Sequence, residues 1–286
     1  MDNVVTLSQK LSKASVKRYS NPYLEFDWPE VLSEDSWWFS PELSSLCGTA
    51  VYDVLPAEQQ QRLAFWELVN FFSLNIHGEK ALLQGLAKRL YSRWPTEISE
   101  YLHHFLGEEN KHMTLFGTFC MRYANKVYPS KAYSLNENHI QSVEDFLFFA
   151  RVVIFEEFVD YYNLYMAKDE RLHPLCRAIN QYHHNDESRH LAFGRKITQQ
   201  LFESHAGDWG EDTVNGIRRY LGDYIQATWK EYYNPWVYKD AGFNDFYKTY
   251  LTAWRHESQK QLRQKISSHC FSFFVTSGIL AEEPVV

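Results

Sequence analysis

Cysteine is scarce here. The four, Cys47, Cys120, Cys176 and Cys270, share no short spacing. That excludes a disulfide framework and a zinc knuckle, and reads as reduced, mostly buried thiols of a cytoplasmic protein. Long apolar runs are also missing. The longest falls far short of the roughly 18 residues a membrane span needs, and Cys270 to Leu280 suffices only to pack on the body or a partner copy. The start carries an early acidic residue, Asp2, and no apolar stretch, so no signal peptide is expected. Lysine and arginine do not cluster, and the formal net charge of −7 is spread along the chain. A nucleic-acid surface needs the opposite. Period-2 alternation between hairpin turns is absent as well, which argues against a sheet.

What is present is apolar weight and helical character. The chain is 45% hydrophobic and 17% aromatic over 286 residues, enough for one large domain with a sizeable core. Residues 1–56 read as an irregular wrapping arm with at most short helical pieces. Pro22, Pro29, Pro41 and Pro56 break it, while Trp28, Trp37, Trp38 and Phe39 give it something to bury. Pro56-Ala57-Glu58 starts a helix running to about 92. Thr96 caps a second to about 126, broken by Tyr128-Pro129-Ser130, and a loop leads to Ser142, which caps a third over 143–167. Lys168 to Pro174 is the next break, and a fourth helix covers 175–205. Accessory helices are expected over 211–230 and 243–268. The class is all-α: a four-helix core over 57–205, extra helices over 206–286 and the N-terminal arm.

The chemistry sits on the fourth helix. At about 100° per residue, His183, Glu187 and His190 fall within roughly 60° of one another on one face, whereas His184 lies about 120° from His190. Glu109-x-x-His112 on the second helix repeats the spacing of Glu187-x-x-His190. One Glu-x-x-His is weak evidence. Two, each on the second helix of a pair, match the design of two-metal carboxylate bundles, in which each remaining helix gives one further glutamate. Hairpin geometry locates those. Residues equally far from a turn lie side by side, so reflection across a turn near 94 carries Glu109 to Glu79, and reflection across one near 171 carries Glu187 to Glu156 or Glu157. Glu156 shares a face with Phe149, Val152 and Val159, and is preferred. Four carboxylates offset two divalent cations, and buried unpaired ones would be costly; the mixed nitrogen and oxygen donors suit iron.

This pattern resembles the ferritin-like di-iron oxygenases. Within them it is most similar to the p-aminobenzoate (arylamine) N-oxygenase family. What points there is His183, four residues before Glu187, and the surrounding His183-x-x-Asp186-Glu187-x-Arg189-His190-Leu191-Ala192-Phe193. The resemblance covers roughly 40–205. It implies two iron ions cycling between Fe2+ and Fe3+, O2 as co-substrate, an external electron donor (a protein or a reductant) and a small-molecule, aromatic amine substrate oxidised toward hydroxylamine, nitroso or nitro product. The metal ligands are then Glu79, Glu109, His112, Glu156, His183, Glu187 and His190, with no catalytic residue beyond them. Glu108-Glu109-Asn110-Lys111-His112 and Asp186-Glu187-Ser188-Arg189-His190 also look like the motifs of acyl-carrier-protein desaturases, the second reading. An iron-storage ferroxidase and a radical-bearing subunit using Tyr161 or Tyr162 rank below. Bundles of this kind often form homodimers, the expected assembly.

Blander readings stand beside these. Glu-x-x-His repeats also occur as exposed, salt-bridged helix faces. Glu67 rivals Glu79 on the same helix. His77, His103, His104 and His184 read as solvated or supporting groups. Asp160 and Asp186 read first as surface charges, and second as holders of a ligand histidine's outer nitrogen. Arg151 and Arg195 read as partners for a nearby carboxylate, that of the substrate included. The aromatic stripes, Phe71, Phe72, Phe148 and Phe149 among them, are core first and substrate pocket second.

Overall fold

The structure is a computed structural model describing residues 1–33, 36–130 and 140–286. Its helices are α1 (Asp2–Lys17), α2 (Pro22–Glu25), α3 (Ala50–Asp53), α4 (Ala57–Arg89), α5 (Thr96–Phe119), α6 (Gln141–Lys168), α7 (Pro174–Trp209), α8 (Glu211–Tyr232), α9 (Pro235–Asp240), α10 (Phe246–Arg255) and α11 (Glu257–Thr276). No strand occurs among the described residues. Most of the loop expected between Tyr128 and Ser142 lies outside them.

Helices α4 to α7 form the expected four-helix bundle. The hairpins α4–α5 and α6–α7 pack closely within themselves and more sparsely against each other. Each is built from good helix formers, without internal proline and with apolar residues on more than one face. Thus α6 buries Phe146, Phe149, Val153 and Val159, and α4 buries Leu63, Phe71, Phe72 and Leu82. Covering elements flank the bundle. α1 packs on α5 and α7, while α8 packs on α4, α6 and α7 and α11 on α6.

Some boundaries differ from the sequence reading. The arm opens with a 16-residue helix, α1, rather than only short pieces. Its buried stripe is Val4, Ser8, Ser12 and Ser15, at helical spacing but mostly polar by residue type, so hydrophobic periodicity does not show it. Beyond it, the proline-rich remainder is irregular apart from short turns. The expected helix over 243–268 is two, α10 and α11, joined at His256, whose side chain caps α11 by accepting from Ser258 N. Thr96 and Ser142 are not caps: Pro95 and Ile140 hold those positions, and Ser142 Oγ accepts from Trp209 Nε1. α5 ends at Phe119 in a π-turn over Cys120–Ala124, closed by Asn125 at φ 46°, a left-handed conformation that asparagine tolerates.

The α4–α6 seam rests on two glycines. Gly78 faces the Phe155 ring and Gly85 the Phe148 ring, and a methyl group at either would overlap the ring it faces. The glycines are seven residues apart on α4 and the phenylalanines seven apart on α6, so the two contacts repeat two turns apart along antiparallel helices. We expect Gly85→Ala to lower stability by roughly 1–2 kcal/mol, overpacking outweighing the helix propensity gained. Thermal melts of Gly85→Ala in the wild-type and Phe148→Leu backgrounds check this. An equal effect in both would show that the ring contact is not responsible.

The arm is held to the bundle by Glu67. This buried carboxylate accepts from Ser45 N at 2.8 Å and from Ser45 Oγ, which also meets Tyr238 Oη at 2.8 Å. Burial pushes Glu67 up to about 7, the Ser45 hydrogen bonds opposing it only in part. The unfolded chain releases this proton near the ordinary glutamate value and the folded chain holds it. The titration of Glu67 therefore costs nothing at low pH, and the cost grows between about 4.5 and 7 to an order of 3 kcal/mol. Glu67→Gln is expected to raise the melting temperature by several degrees at pH 8 and by little at pH 5. A difference independent of pH would count against this account.

Candidate metal centre

The structure brings all seven predicted ligands into the bundle interior. Each is at most 1% exposed. Two groups form. Glu79, Glu109, His112 and His183 can each offer one donor atom within 4.8 Å of the others, and so can Glu109, Glu156, Glu187 and His190. Glu109 belongs to both, its Oε2 lying 3.4 Å from His112 Nδ1 and its Oε1 2.7 Å from His190 Nδ1. Glu187 spans them in the same way. Its Oε1 lies 2.7 Å from His183 Nε2 and 3.6 Å from His112 Nδ1, and its Oε2 3.4 Å from His190 Nδ1. The two motif glutamates thus stand between the groups. Glu79, with its Oε1 3.3 Å from His183 Nε2, closes one end, and Glu156 the other.

The rival residues are elsewhere. Glu67 sits with Ser45. Glu157 points away from the centre, to Arg195 and to His269 Nδ1 at 3.0 Å. His77 meets the Tyr128 carbonyl, His103 the Tyr91 hydroxyl, and His184 meets Asp160 at 2.6 Å. Tyr161 and Tyr162 make no ring contact with a ligand histidine among the described residues; Tyr162 packs on Phe39, Phe71 and Tyr232. The rings against the imidazoles are Phe105 on His190, Phe116 on His183 and the edge of Tyr182 near His112.

Each imidazole has its outer nitrogen held. Asp186 Oδ2 lies 3.1 Å from His112 Nε2, and Glu108 Oε2 2.8 Å from His190 Nε2. The acid preceding each motif glutamate therefore serves the histidine of the other motif. Arg189 ties the pair, donating through Nη2 to Glu108 at 2.6 Å and to Asp186, while its Nε donates to Ser15 Oγ of α1 at 3.1 Å. The Asn163 amide meets His183 Nδ1 at 2.7 Å. Sequence reasoning reached Asp186 only as a second choice and missed Glu108, Arg189 and Asn163. The shared acid-Glu-x-x-His pattern was a usable signal for Glu108; nothing marked Asn163.

The electrostatics is that of a site built around positive charge. Burial pushes Glu79 well up, and the Glu109 carboxylate adds to it; burial also raises Glu187, more than His190 lowers it. Burial raises Glu109 too, but His190 and His112 together pull it down to about 2. Burial, then the charges of His112 and His190, hold His183 well below the ordinary histidine range, as a neutral imidazole. Several buried atoms have no hydrogen-bond partner: both carboxylate oxygens of Glu79 and of Glu187, Oε1 of Glu109 and of Glu156, and His190 Nδ1. Orphans of this kind are expensive, and so many on one spot fit cations.

A cavity of about 270 Å³ lies on the outer side of the α4–α6 seam, beneath α8. Its wall includes Gly78 and Phe155, the residues just before Glu79 and Glu156. On both helices these cavity-lining residues are turned about 100° from the glutamates that follow them, so the glutamates themselves do not line the cavity.

No described helix is long and apolar enough to cross a membrane. An R2-like ligand-binding oxidase mutant with an anaerobically reconstituted Mn/Fe cofactor has a similar fold, with a TM-score of 0.52 at 16% identity over 96% of this chain and 93% of that one. At that identity the likeness concerns the fold, a ferritin-like bundle. Uncharacterized proteins of Mycobacterium tuberculosis and Mycobacterium bovis are each 26% identical over 217 residues, 68% of this chain. The match spans 61% of the length of those curated relatives. The model of the p-aminobenzoate N-oxygenase AurF family matches residues 2–278, the bundle and both of its flanking layers included, and the chain belongs to that family.

Proposed function

We propose that this protein is a non-haem di-iron oxygenase that oxidises the amino group of a small aromatic amine with O2 and electrons from an external donor. The observation that carries the reading is the seven-donor set: four glutamates and three imidazoles, buried, in two groups that share Glu109. The donors fit two divalent ions. Glu79, His112 and His183 would hold one, Glu156 and His190 the other, with Glu109 and Glu187 between them. A bundle-core site of this composition is suited to iron, with manganese as the competitor. When bound, a reduced iron pair supplies the redox chemistry and the open positions for O2.

The chain's own residues prepare the donors. Glu108 and Asp186 are ionised acceptors that hold the Nε2 protons of His190 and His112; the inward Nδ1 protons, which make both rings cationic in the metal-free protein, would leave as metal binds and free those nitrogens as donors. Burial excludes water, and the extra imidazole, His183, makes the first group richer in nitrogen. The family description supports an amine as the reacting group. Insertion of one oxygen atom into an N–H bond yields a hydroxylamine, while the second oxygen leaves as water with two electrons from the donor and two protons from solvent.

Anaerobic loading followed by elemental analysis tests the centre. We expect about two metal ions per chain, and well under one after Glu187→Gln and His190→Ala are combined. Asp186→Asn should keep the fold and weaken metal affinity by roughly 10–100-fold, as loss of a supporting hydrogen bond does. Less than one iron in the wild-type protein would overturn the di-iron reading. Mass spectrometry of 4-aminobenzoate-like amines incubated with loaded enzyme, reductant and 18O2 tests the reaction. Label on nitrogen is expected; label only on carbon would overturn it.

A further inference from the structure

The centre is buried, yet on the α5–α7 side the way out of it is short. Asp186, which meets His112 Nε2, also lines a pocket of about 350 Å³ beneath the turn between α1 and α2, where Arg18, Ser20 and Glu25 form the outer wall. Tyr182 stands in the same pocket. Its ring presents an edge to the His112 imidazole, centroids 6.1 Å apart, and its hydroxyl accepts from Ser20 Oγ at 2.8 Å. One half-buried ring therefore lies between the pocket and a candidate metal-binding imidazole.

The surface around this pocket is unlike the chain as a whole. The net charge is −7, but residues 2–18 carry Lys10, Lys13, Lys17 and Arg18 against Asp2 alone. At about 100° per residue the three lysines fall within roughly 60° of one another, opposite the buried Ser8, Ser12 and Ser15. All four cations are exposed, and none forms an ion pair with a described residue. Next to them Tyr19 and Tyr23 are 75% exposed and Leu24 is 81% exposed. Unpaired cations beside bare rings have the composition of a docking surface, where charge steers a partner and the rings give it contact. We propose that this face, the lysine stripe of α1 with Tyr19, Tyr23 and Leu24, docks an acidic electron-transfer protein.

The need for such a partner rests on the oxygenase reading, which calls for an external donor. Each transfer oxidises one reduced carrier and reduces one Fe3+ to Fe2+, and two transfers supply the electrons for one inserted oxygen. An electron delivered here has Tyr182 and the Asp186–His112 pair ahead of it and needs no opening in the Arg189 network. A membrane fits the helix less well. A helix lying on a bilayer buries an apolar stripe in it, whereas the stripe opposite these lysines is mostly serine and is already seated on the bundle.

The experiment is titration of the iron-loaded chain with a plant-type [2Fe–2S] ferredoxin, an acidic one-electron carrier, without amine or O2. Binding is followed by calorimetry and reduction of the iron pair by stopped-flow absorbance. The wild type is compared with the triple variants Lys10→Glu/Lys13→Glu/Lys17→Glu and Lys10→Gln/Lys13→Gln/Lys17→Gln. Wild-type affinity should fall about tenfold or more between about 50 and 500 mM salt. The glutamate variant should bind about tenfold or more weakly at low salt and be reduced by ferredoxin correspondingly more slowly, with the glutamine variant between. Iron content, melting temperature and reduction by dithionite should match the wild type in both. No binding, binding indifferent to salt or to the lysines, or lysine-dependent binding to phosphatidylglycerol vesicles in place of ferredoxin would each overturn the proposal. If the glutamate variant does not fold, the glutamine variant decides. Amine oxidised with dithionite but no lysine-dependent docking would refute this inference alone. Docking and reduction without oxidised amine would refute the amine reaction alone.

Discussion

Four carboxylates and three imidazoles share the dry interior of one bundle, and the rest of the structure answers to that crowding. A buried carboxylate without a counter-charge is among the costliest groups a fold can hold. Here burial, and after it the neighbouring carboxylates, pushes Glu79 and Glu187 toward protonation, while Glu109, between two imidazoles, is pulled the other way. Carboxylates at such short range with opposed tendencies make a poor hydrophobic core and a good cage for two cations. The arrangement costs stability as a bare protein and returns it on binding metal, so folding and metal binding are coupled.

That coupling has a mechanical side. Glu108 and Asp186 each reach across to the histidine of the opposite motif, and Arg189 grips both acids. The register of α5 against α7 is therefore fixed by the groups that orient the imidazoles. A sliding of one helix past the other would unhook both histidines at once. Ser15 on α1 accepts from the same arginine, which explains why a helix of the N-terminal arm lies over α5 and α7. The arm helix thus supports the centre without contributing a ligand.

The gathering of the candidate donors was legible in the sequence because helical period and hairpin symmetry are one-dimensional rules. Equal spacing of the two Glu-x-x-His motifs and reflection across two turns reach Glu79 and Glu156 from positions along the chain alone. What stayed hidden depends on the approach of residues that no period relates. Asn163 is an unmarked asparagine on a buried helix. Arg189 stands inside a motif with no role of its own assigned. α1 hides behind a stripe of serines, since periodicity registers apolar residues and this helix buries hydroxyls. The division of α10 from α11 follows from His256 capping, a local hydrogen bond invisible to a propensity count.

The two sides of the centre differ, and the difference bears on how anything reaches it. On the α5–α7 side stand the histidines, their carboxylate partners, Arg189 and α1. Entry there would break a buried ion-paired network and release the imidazoles it aims, and breaking such a network by removing one partner typically costs several kcal/mol. The α4–α6 seam is built differently. The helices meet through Gly78 and Gly85 under two phenylalanine rings, and beyond them lies a cavity whose walls mix apolar side chains with His77, Arg151, Thr228 and Glu231. A shift of α4 against α6 would first unseat the two rings from their glycines, so the two seams resist movement by different contacts.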